Sequence, residues 1–263
     1  MKYLLFFIAI ASALLSCSSS QKSATTTQLP FANKVIAHRG AWKNTNLPEN
    51  SIASLKAAIA LGCGGSEFDV HLTSDEVLVV NHDDKFMGLD IETSTYSQLL
   101  EKTMANGEKI PTLEAYLKEG LKQKHTKLVL EIKKSTISKQ RTIVLTDKVL
   151  HMVQQLNASP WIVYISFDYE ACRHIRQKQP AMPVQYLDGN VAPAQLKADK
   201  LGLDYHFSVF EKNRDWLAQA KKLGVATNAW TVNDEKVMDT LLEQGIDFIT
   251  TNEPELLLKK LGK

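Results

Sequence analysis

The sequence predicts a (β/α)8 barrel with a small insertion after the second strand, and three observations carry that expectation. Short β-branched runs alternate with segments of helical periodicity from residue 34 onward. The alternation makes eight units over about 230 residues, the size of one such barrel, provided that the run 77–81 extends the second strand instead of adding another. The chemistry-bearing residues fall at the C-terminal ends of the runs, where the loops of a barrel converge. A doubly wound open sheet is the runner-up, disfavoured because neither G-x-G-x-x-G nor a P-loop follows the first run.

Taken in order, residues 34–37 form the first strand, and residues 51–61 a helix whose apolar positions recur at helical spacing until Gly62 stops it. Two strand-like runs, 67–71 and 77–81, are joined by Thr73-Ser74-Asp75-Glu76, a turn composition. Residues 83–107 fit neither pattern and are expected to form an excursion before the helix 112–121. Strands follow at 127–132, 161–165, 182–186, 203–207, 225–230 and 246–249. Helical segments lie between them at 147–155, 169–177, 213–223 and 234–243, with Gly224 and Gly245 placed to end two of these.

The 31 basic and 29 acidic residues of the 263-residue chain nearly cancel, which leaves no electrostatic case for nucleic acid as a partner. Residues 1–16 read as a lipoprotein signal peptide: Met1-Lys2 precedes an apolar run to Leu15 that is too short to span a bilayer. Leu14-Leu15-Ser16-Cys17 resembles a lipobox, in which Cys17 is lipidated and becomes the mature N-terminus. Residues 17–32 then form a polar tether, and residues 33–263 the barrel domain. This reading puts the chain in a bacterial cell envelope, joined to the membrane through its lipid and facing the periplasm, with Ser18 after the anchor pointing to the outer membrane. Cys63 and Cys172, the remaining thiols, are not expected to pair.

Glu67 and Asp69 lie two apart on the second strand and so face the same side, and Glu131 ends the strand 127–132. Three carboxylates gathered at one barrel mouth repel one another unless a cation neutralises them, and an all-oxygen ligand set favours one hard divalent cation, Mg²⁺ or Ca²⁺. The competing reading is that these acids only make salt bridges with Arg39 and Lys133. His38 and His82 end strands of their own and suit general acid and base, since imidazole titrates near neutrality. A guanidinium at Arg39 and an ammonium at Lys133 beside the metal suit a phosphoryl group, and metal, two cations and two imidazoles together read as phosphoester hydrolysis of a small-molecule substrate. A carboxylate substrate with enolase-type chemistry trails.

The blocks Ala37-His38-Arg39-Gly40, Pro48-Glu49-Asn50-Ser51, Glu67-Phe68-Asp69-Val70, Val79-Val80-Asn81-His82-Asp83, Ile110-Pro111-Thr112-Leu113-Glu114, Leu130-Glu131-Ile132-Lys133, Trp230-Thr231-Val232-Asn233 and Thr250-Thr251-Asn252-Glu253-Pro254 resemble, in order and spacing, the glycerophosphodiester phosphodiesterases. The likeness runs from about residue 34 to residue 257. It implies a (β/α)8 barrel with an insertion after the second strand, and hydrolysis of compounds such as glycerophosphocholine or glycerophosphoethanolamine to glycerol 3-phosphate and an alcohol. Glu67, Asp69 and Glu131 match the metal-binding acids of the family, His38 and His82 its acid/base pair, and Arg39 and Lys133 its phosphate-contacting cations. Glu49 and Asn50 match an orienting element near the site, and Trp230 an aromatic wall beside the glycerol moiety. His71, His125, His151, His174 and His206 match nothing and are read as surface or packing residues.

The expected mechanism is attack by the neighbouring glycerol hydroxyl through a cyclic phosphate that water then opens, with the two histidines exchanging duties. Which of them starts as base is left open by the sequence. Two rivals remain: phospholipase C- or D-like action on lysophospholipids, which an apolar rim at Phe86, Met87 and Leu89 would favour, and a non-catalytic lipoprotein that binds phosphorylated head groups.

Overall fold

A computed structural model describes residues 30–263, and the proposed signal peptide, Cys17 and most of the tether lie outside them. The elements run β1 (Val35–Ala37), α1 (Ile52–Ala60), β2 (Gly65–Leu72), β3 (Leu78–Val80), β4 (Lys85–Phe86), β5 (Leu89–Asp90), α2 (Tyr96–Leu99), α3 (Leu113–Gly120), β6 (Lys127–Ile132) and α4 (Lys139–Gln155). They continue with β7 (Ile162–Ser166), α5 (Tyr169–Lys178), β8 (Val184–Tyr186), α6 (Pro193–Asp199), β9 (Gly202–His206), α7 (Phe207–Lys212), α8 (Trp216–Leu223), β10 (Thr227–Trp230), α9 (Glu235–Glu243), β11 (Phe248–Thr251) and α10 (Pro254–Lys260).

Eight parallel strands, in the order β1-β2-β6-β7-β8-β9-β10-β11, close on themselves because β1 pairs with both β2 and β11. This is the expected (β/α)8 barrel. The run 77–81 is a separate strand, β3, and stands outside the count of eight for a geometric reason. β1 is only three residues long and pairs with Gly65 and Ser66, so the far half of the longer β2 is left with an open edge. β3 covers that edge antiparallel, from Val70↔Val80 to Leu72↔Leu78.

Side-chain alternation along the strands sorts the apolar residues into two cores. Outward residues such as Phe68, Val70, Leu128, Leu130, Ile162, Tyr164, Leu203 and Tyr205 meet the helices. Inward residues Ile36, Val129, Val163, Ile165 and Leu187 fill the barrel, with Trp230 and Phe248 packed against them. The helices begin where side chains cap them: Ser51 accepts from the Ser54 N–H, Thr112 from Ala115, Asp168 from Ala171 and Asp234 from Val237. α8 ends at Gly224 in the left-handed conformation, φ 66°.

The insertion 83–107 carries the β4–β5 hairpin and α2, and it closes a small core of its own in which Phe86, Ile91, Leu99 and Met104 pack with Val79 and Ile110. Its docking to the barrel runs through buried Glu92, which accepts from Ser135, Thr136 and the Arg141 guanidinium. Cys63 and Cys172 are both buried and unpaired. Among the described residues no helix is long and apolar enough to cross a membrane.

Candidate active site

The chain turns sharply as it leaves β1. Arg39 and Asn50 both take positive φ, 57°, and between them Gly40 sits at φ 81° against α1, where a Cβ would lie 2.5 Å from Ser54 Oγ. The turn is pinned by the Asn50 N–H and the Ser54 hydroxyl, which both donate to the Arg39 carbonyl, at 3.0 and 3.1 Å. This places His38 at the barrel mouth and aims the Arg39 N–H at Glu67 Oε2, 2.8 Å away.

The three predicted acids converge. One oxygen from each of Glu67, Asp69 and Glu131 lies within 4.8 Å of the others, and all three side chains are buried. The register explains the convergence: Asp69 and Glu131 are direct neighbours on β2 and β6, and Glu67 is two residues before Asp69 on the same face. Asp69 is the most firmly held. Asn50 donates Nδ2–H to its Oδ2 at 2.8 Å and accepts from its backbone N–H at 3.2 Å. Lys133 Nζ stands between Asp69 Oδ1 at 3.3 Å and Glu131 Oε1 at 3.0 Å.

The electrostatics of this cluster are unequal. Burial pushes the Asp69 carboxyl up, but Lys133, His82 and the Asn50 hydrogen bond outweigh it and hold it at about 2. Burial and the neighbouring Asp69 push Glu131 up to about 8 against the pull of Lys133, and burial with both other acids raises Glu67. With all three acids ionised, three carboxylates against one ammonium leave two negative charges, which a single divalent cation would neutralise. Glu67 Oε1 is buried with no hydrogen-bond partner in the protein. A cluster of hard oxygens with one unpaired atom fits the predicted metal.

Both predicted histidines line one cavity of about 100 Å³ together with the polar Arg39, Glu67 and Glu131 and the apolar Ile165, Phe167, Leu187 and Trp230. His38 Nδ1 lies 2.8 Å from Asn252 Oδ1 and donates to it, which leaves Nε2 unprotonated. Burial, reinforced by Arg39, lowers its pKa to about 4, so the ring is neutral near pH 7. His82 Nδ1 donates to Asp83 Oδ1 at 2.7 Å. Trp230 donates its indole N–H to the Asp204 carbonyl at 3.0 Å and meets Phe167 edge-on at 5.5 Å.

The two cations are placed differently from one another. Lys133 is engaged by the acid cluster, so part of the salt-bridge reading is realised in the structure. Arg39 Nη1 reaches both oxygens of Glu49 at 2.9 Å, and its buried Nε–H has no protein partner, leaving a donor beside the cavity. Glu49 thus steers the guanidinium, and Asn50 steers Asp69. The expected rim of Phe86, Met87 and Leu89 does not form: Phe86 is buried in the core of the insertion, Leu89 packs against that core, and Met87 is exposed.

Four partners of the site were not assigned from sequence. Asn252 and Asp83 fall inside recognised blocks, and the Asn-Glu-Pro and His-Asp pairings were the available signals. His71 continues the inward face of β2 two residues past Asp69; it is buried, and its Nε2 lies 3.2 Å from the His82 carbonyl, so it supports that loop rather than the surface. Asp204 lines the cavity while 1% exposed, and nothing in its surroundings in the sequence marks it. Burial pushes its carboxyl up to about 7, with Asn228 pulling the other way.

Comparison with known proteins identifies the family. The model of the glycerophosphoryl diester phosphodiesterase family matches residues 38–256. The chain is 29% identical over 246 residues to a glycerophosphodiester phosphodiesterase of Caldanaerobacter subterraneus, covering 87% of this chain and 98% of that one. Its fold matches the crystal structure of a glycerophosphodiester phosphodiesterase from Parabacteroides distasonis with a TM-score of 0.85 and 42% identity, over 89% of this chain and 98% of the other. It also matches an Oleispira antarctica phosphodiesterase solved with the product sn-glycerol-3-phosphate, with a TM-score of 0.74 and 25% identity over 88% and 97% of the two chains. The chain belongs to the glycerophosphoryl diester phosphodiesterase family and is a hydrolase of glycerophosphodiesters.

Proposed function

We propose that this protein hydrolyses small glycerophosphodiesters, such as glycerophosphocholine or glycerophosphoethanolamine, to glycerol 3-phosphate and the free alcohol in a metal-dependent reaction. The observation that carries the reading is the meeting of three buried carboxylates and two histidines on one small cavity. The product bound by the Oleispira antarctica relative supports the same product here. Glu67, Asp69 and Glu131 would hold one Mg²⁺ or Ca²⁺, which when bound supplies Lewis-acid stabilisation of phosphoryl charge.

The protein's own groups divide the proton work. His38 begins neutral, with Nδ1–H fixed by Asn252, so Nε2 is the base that takes the proton of the glycerol hydroxyl next to the phosphodiester. The resulting oxygen attacks phosphorus in line, forming a cyclic phosphate as the bond to the leaving alcohol breaks. His82, oriented by the hydrogen bond from its Nδ1 to Asp83, gives the leaving oxygen its proton. Water then opens the ring with the roles reversed: His82 takes the proton of the water and His38 returns one to the glycerol oxygen. Arg39, whose Nε–H has no partner in the protein, would pair with a phosphoryl oxygen.

The burial of Phe86 and the packing of Leu89 remove the apolar rim that favoured lysophospholipids. Product analysis by phosphorus NMR on glycerophosphocholine, glycerophosphoethanolamine and lysophosphatidylcholine tests the reading. Glycerol 3-phosphate is expected from the first two; release of a lysolipid-derived product alone would sink it.

The same proposal places the mature chain on the bacterial envelope, lipidated at Cys17, facing the periplasm and held at the outer membrane. Labelling with a fatty-acid analogue that is lost in Cys17→Ala is expected, and label retained in that variant would refute the anchor.

A further inference from the structure

We propose that Asp204 selects the glycerol end of the substrate by accepting a hydrogen bond from its terminal hydroxyl in the depth of the cavity. The inference rests on the phosphodiesterase reading above and extends it to a residue that reading does not use.

Asp204 stands on the inward face of β9, between the outward-facing Leu203 and Tyr205. Its side chain is almost fully buried, yet it lines the same cavity as His38, His82 and Glu67. Its Oδ1 has no hydrogen-bond partner in the protein. A buried acceptor without a donor is destabilising, and the neighbouring inward positions show what the barrel uses where it needs only packing: Ile36, Val129, Val163, Ile165 and Leu187.

The residues beside Asp204 leave its Oδ1 without a donor. Asn228, opposite it in register, donates one Nδ2–H to Thr250 Oγ1 at 2.8 Å and its amide pulls the Asp204 carboxyl down, yet Asp204 Oδ1 is left without a partner, as is the Oδ1 of Asn228 itself. Trp230 donates to the backbone carbonyl of Asp204, not to its carboxyl. The free oxygen therefore calls for a donor brought by the ligand.

Size and chemistry identify that donor. The cavity holds about 100 Å³, and the carboxyl lies in its buried part whereas the His82 side chain is 32% exposed. The end of the substrate that reaches Asp204 is thus small and polar, as a terminal CH₂OH is. A choline head group has no N–H to give, and it belongs on the open side near His82.

The test compares glycerophosphocholine with the phosphocholine ester of propane-1,2-diol. This analogue keeps the hydroxyl next to the phosphodiester and lacks only the terminal one. Both are assayed with the wild type, Asp204→Leu and Asp204→Asn. The wild type is expected to prefer glycerophosphocholine by about 10- to 100-fold in kcat/KM. Asp204→Leu is expected to bring glycerophosphocholine down to the level of the analogue while leaving turnover of the analogue little changed, and Asp204→Asn to keep part of the preference.

Variants that retain the full preference, or that lose activity equally on both substrates, would overturn the proposal. Loss of a preference between ethanolamine and choline esters in its place would assign Asp204 to the head group and overturn it too. A wild type idle on both substrates, with glycerophosphoethanolamine also untouched, would overturn the phosphodiesterase reading and this proposal with it.

Discussion

Adding a divalent cation should stabilise the fold, and the acid cluster sets the size and pH dependence of the effect. Glu67, Asp69 and Glu131 lie within 4.8 Å of one another with Lys133 as the ammonium between two of them, so once all three acids are ionised two negative charges lack compensation. A ligand bound only by the native state adds about 2.7 kcal/mol at a hundredfold excess over its Kd. For a chain of this size that is a rise of about 5–10 °C in Tm.

The pH dependence follows from the raised carboxyls. Glu131 is pushed up to about 8, so below that pH it carries a proton that the cation must displace. The metal-induced rise in Tm is therefore larger at pH 8 than at pH 6. In the absence of metal the sign is opposite: a carboxyl whose folded pKa is raised from 4.5 to about 8 gives stability that is present below pH 4.5 and is lost as the pH climbs to 8. Differential scanning fluorimetry with Mg²⁺ or Ca²⁺ at the two pH values, on the wild type and Glu67→Gln, measures all of this. Glu67→Gln should show little metal-induced rise at either pH. A rise that is independent of pH, or equal in the variant, would refute the reasoning.

Other consequences follow from single contacts. His82→Ala should lose about 10²- to 10⁴-fold in kcat, and Asp83→Asn less, because the variant keeps a hydrogen-bond acceptor that orients Nδ1; equal losses would contradict the division of roles. Gly40→Ala should cost about 2–4 kcal/mol, since the new Cβ meets Ser54 Oγ at 2.5 Å with φ at 81°, and urea unfolding with unchanged stability would show that the turn is not under this constraint. Asp204→Asn should raise Tm at pH 8 and leave it nearly unchanged at pH 4: burial lifts this carboxyl from 3.8 to about 7, so ionising it costs on the order of 4 kcal/mol, felt only as the pH rises. A destabilised Asp204→Asn at pH 8 would contradict that sign.

The parts of the fold legible in the sequence are those with strong periodicity. β6 occupies the expected 127–132, and α1, α3, α5 and α9 begin at or next to the predicted residues because each starts at a capping side chain. α6 and α7 were not foreseen, being seven and six residues long and offering too few turns for a period to show. The start of α4 lies eight residues before the expected 147, because its first turns are polar and packed by Thr142 and Leu145. β11 runs two residues further than the apolar run, through Thr250 and Thr251, since the barrel interior accepts polar side chains at that level.

The site divides in the same way. Glu67, Asp69, Glu131, His38 and His82 were legible because strand alternation and strand ends place them. The roles of His71 and Asp204 depend on what lies across the barrel, a loop carbonyl for one and an unpaired oxygen over a cavity for the other, and no local pattern encodes that.

The most direct test of the central claim is the turnover of glycerophosphocholine by the protein after exhaustive removal of divalent metal and again after Mg²⁺ or Ca²⁺ is returned, read as glycerol 3-phosphate formed. The account predicts no turnover in the stripped protein, recovery on refilling, and no recovery in Glu67→Gln or His38→Ala. Undiminished turnover by the stripped wild type would contradict it.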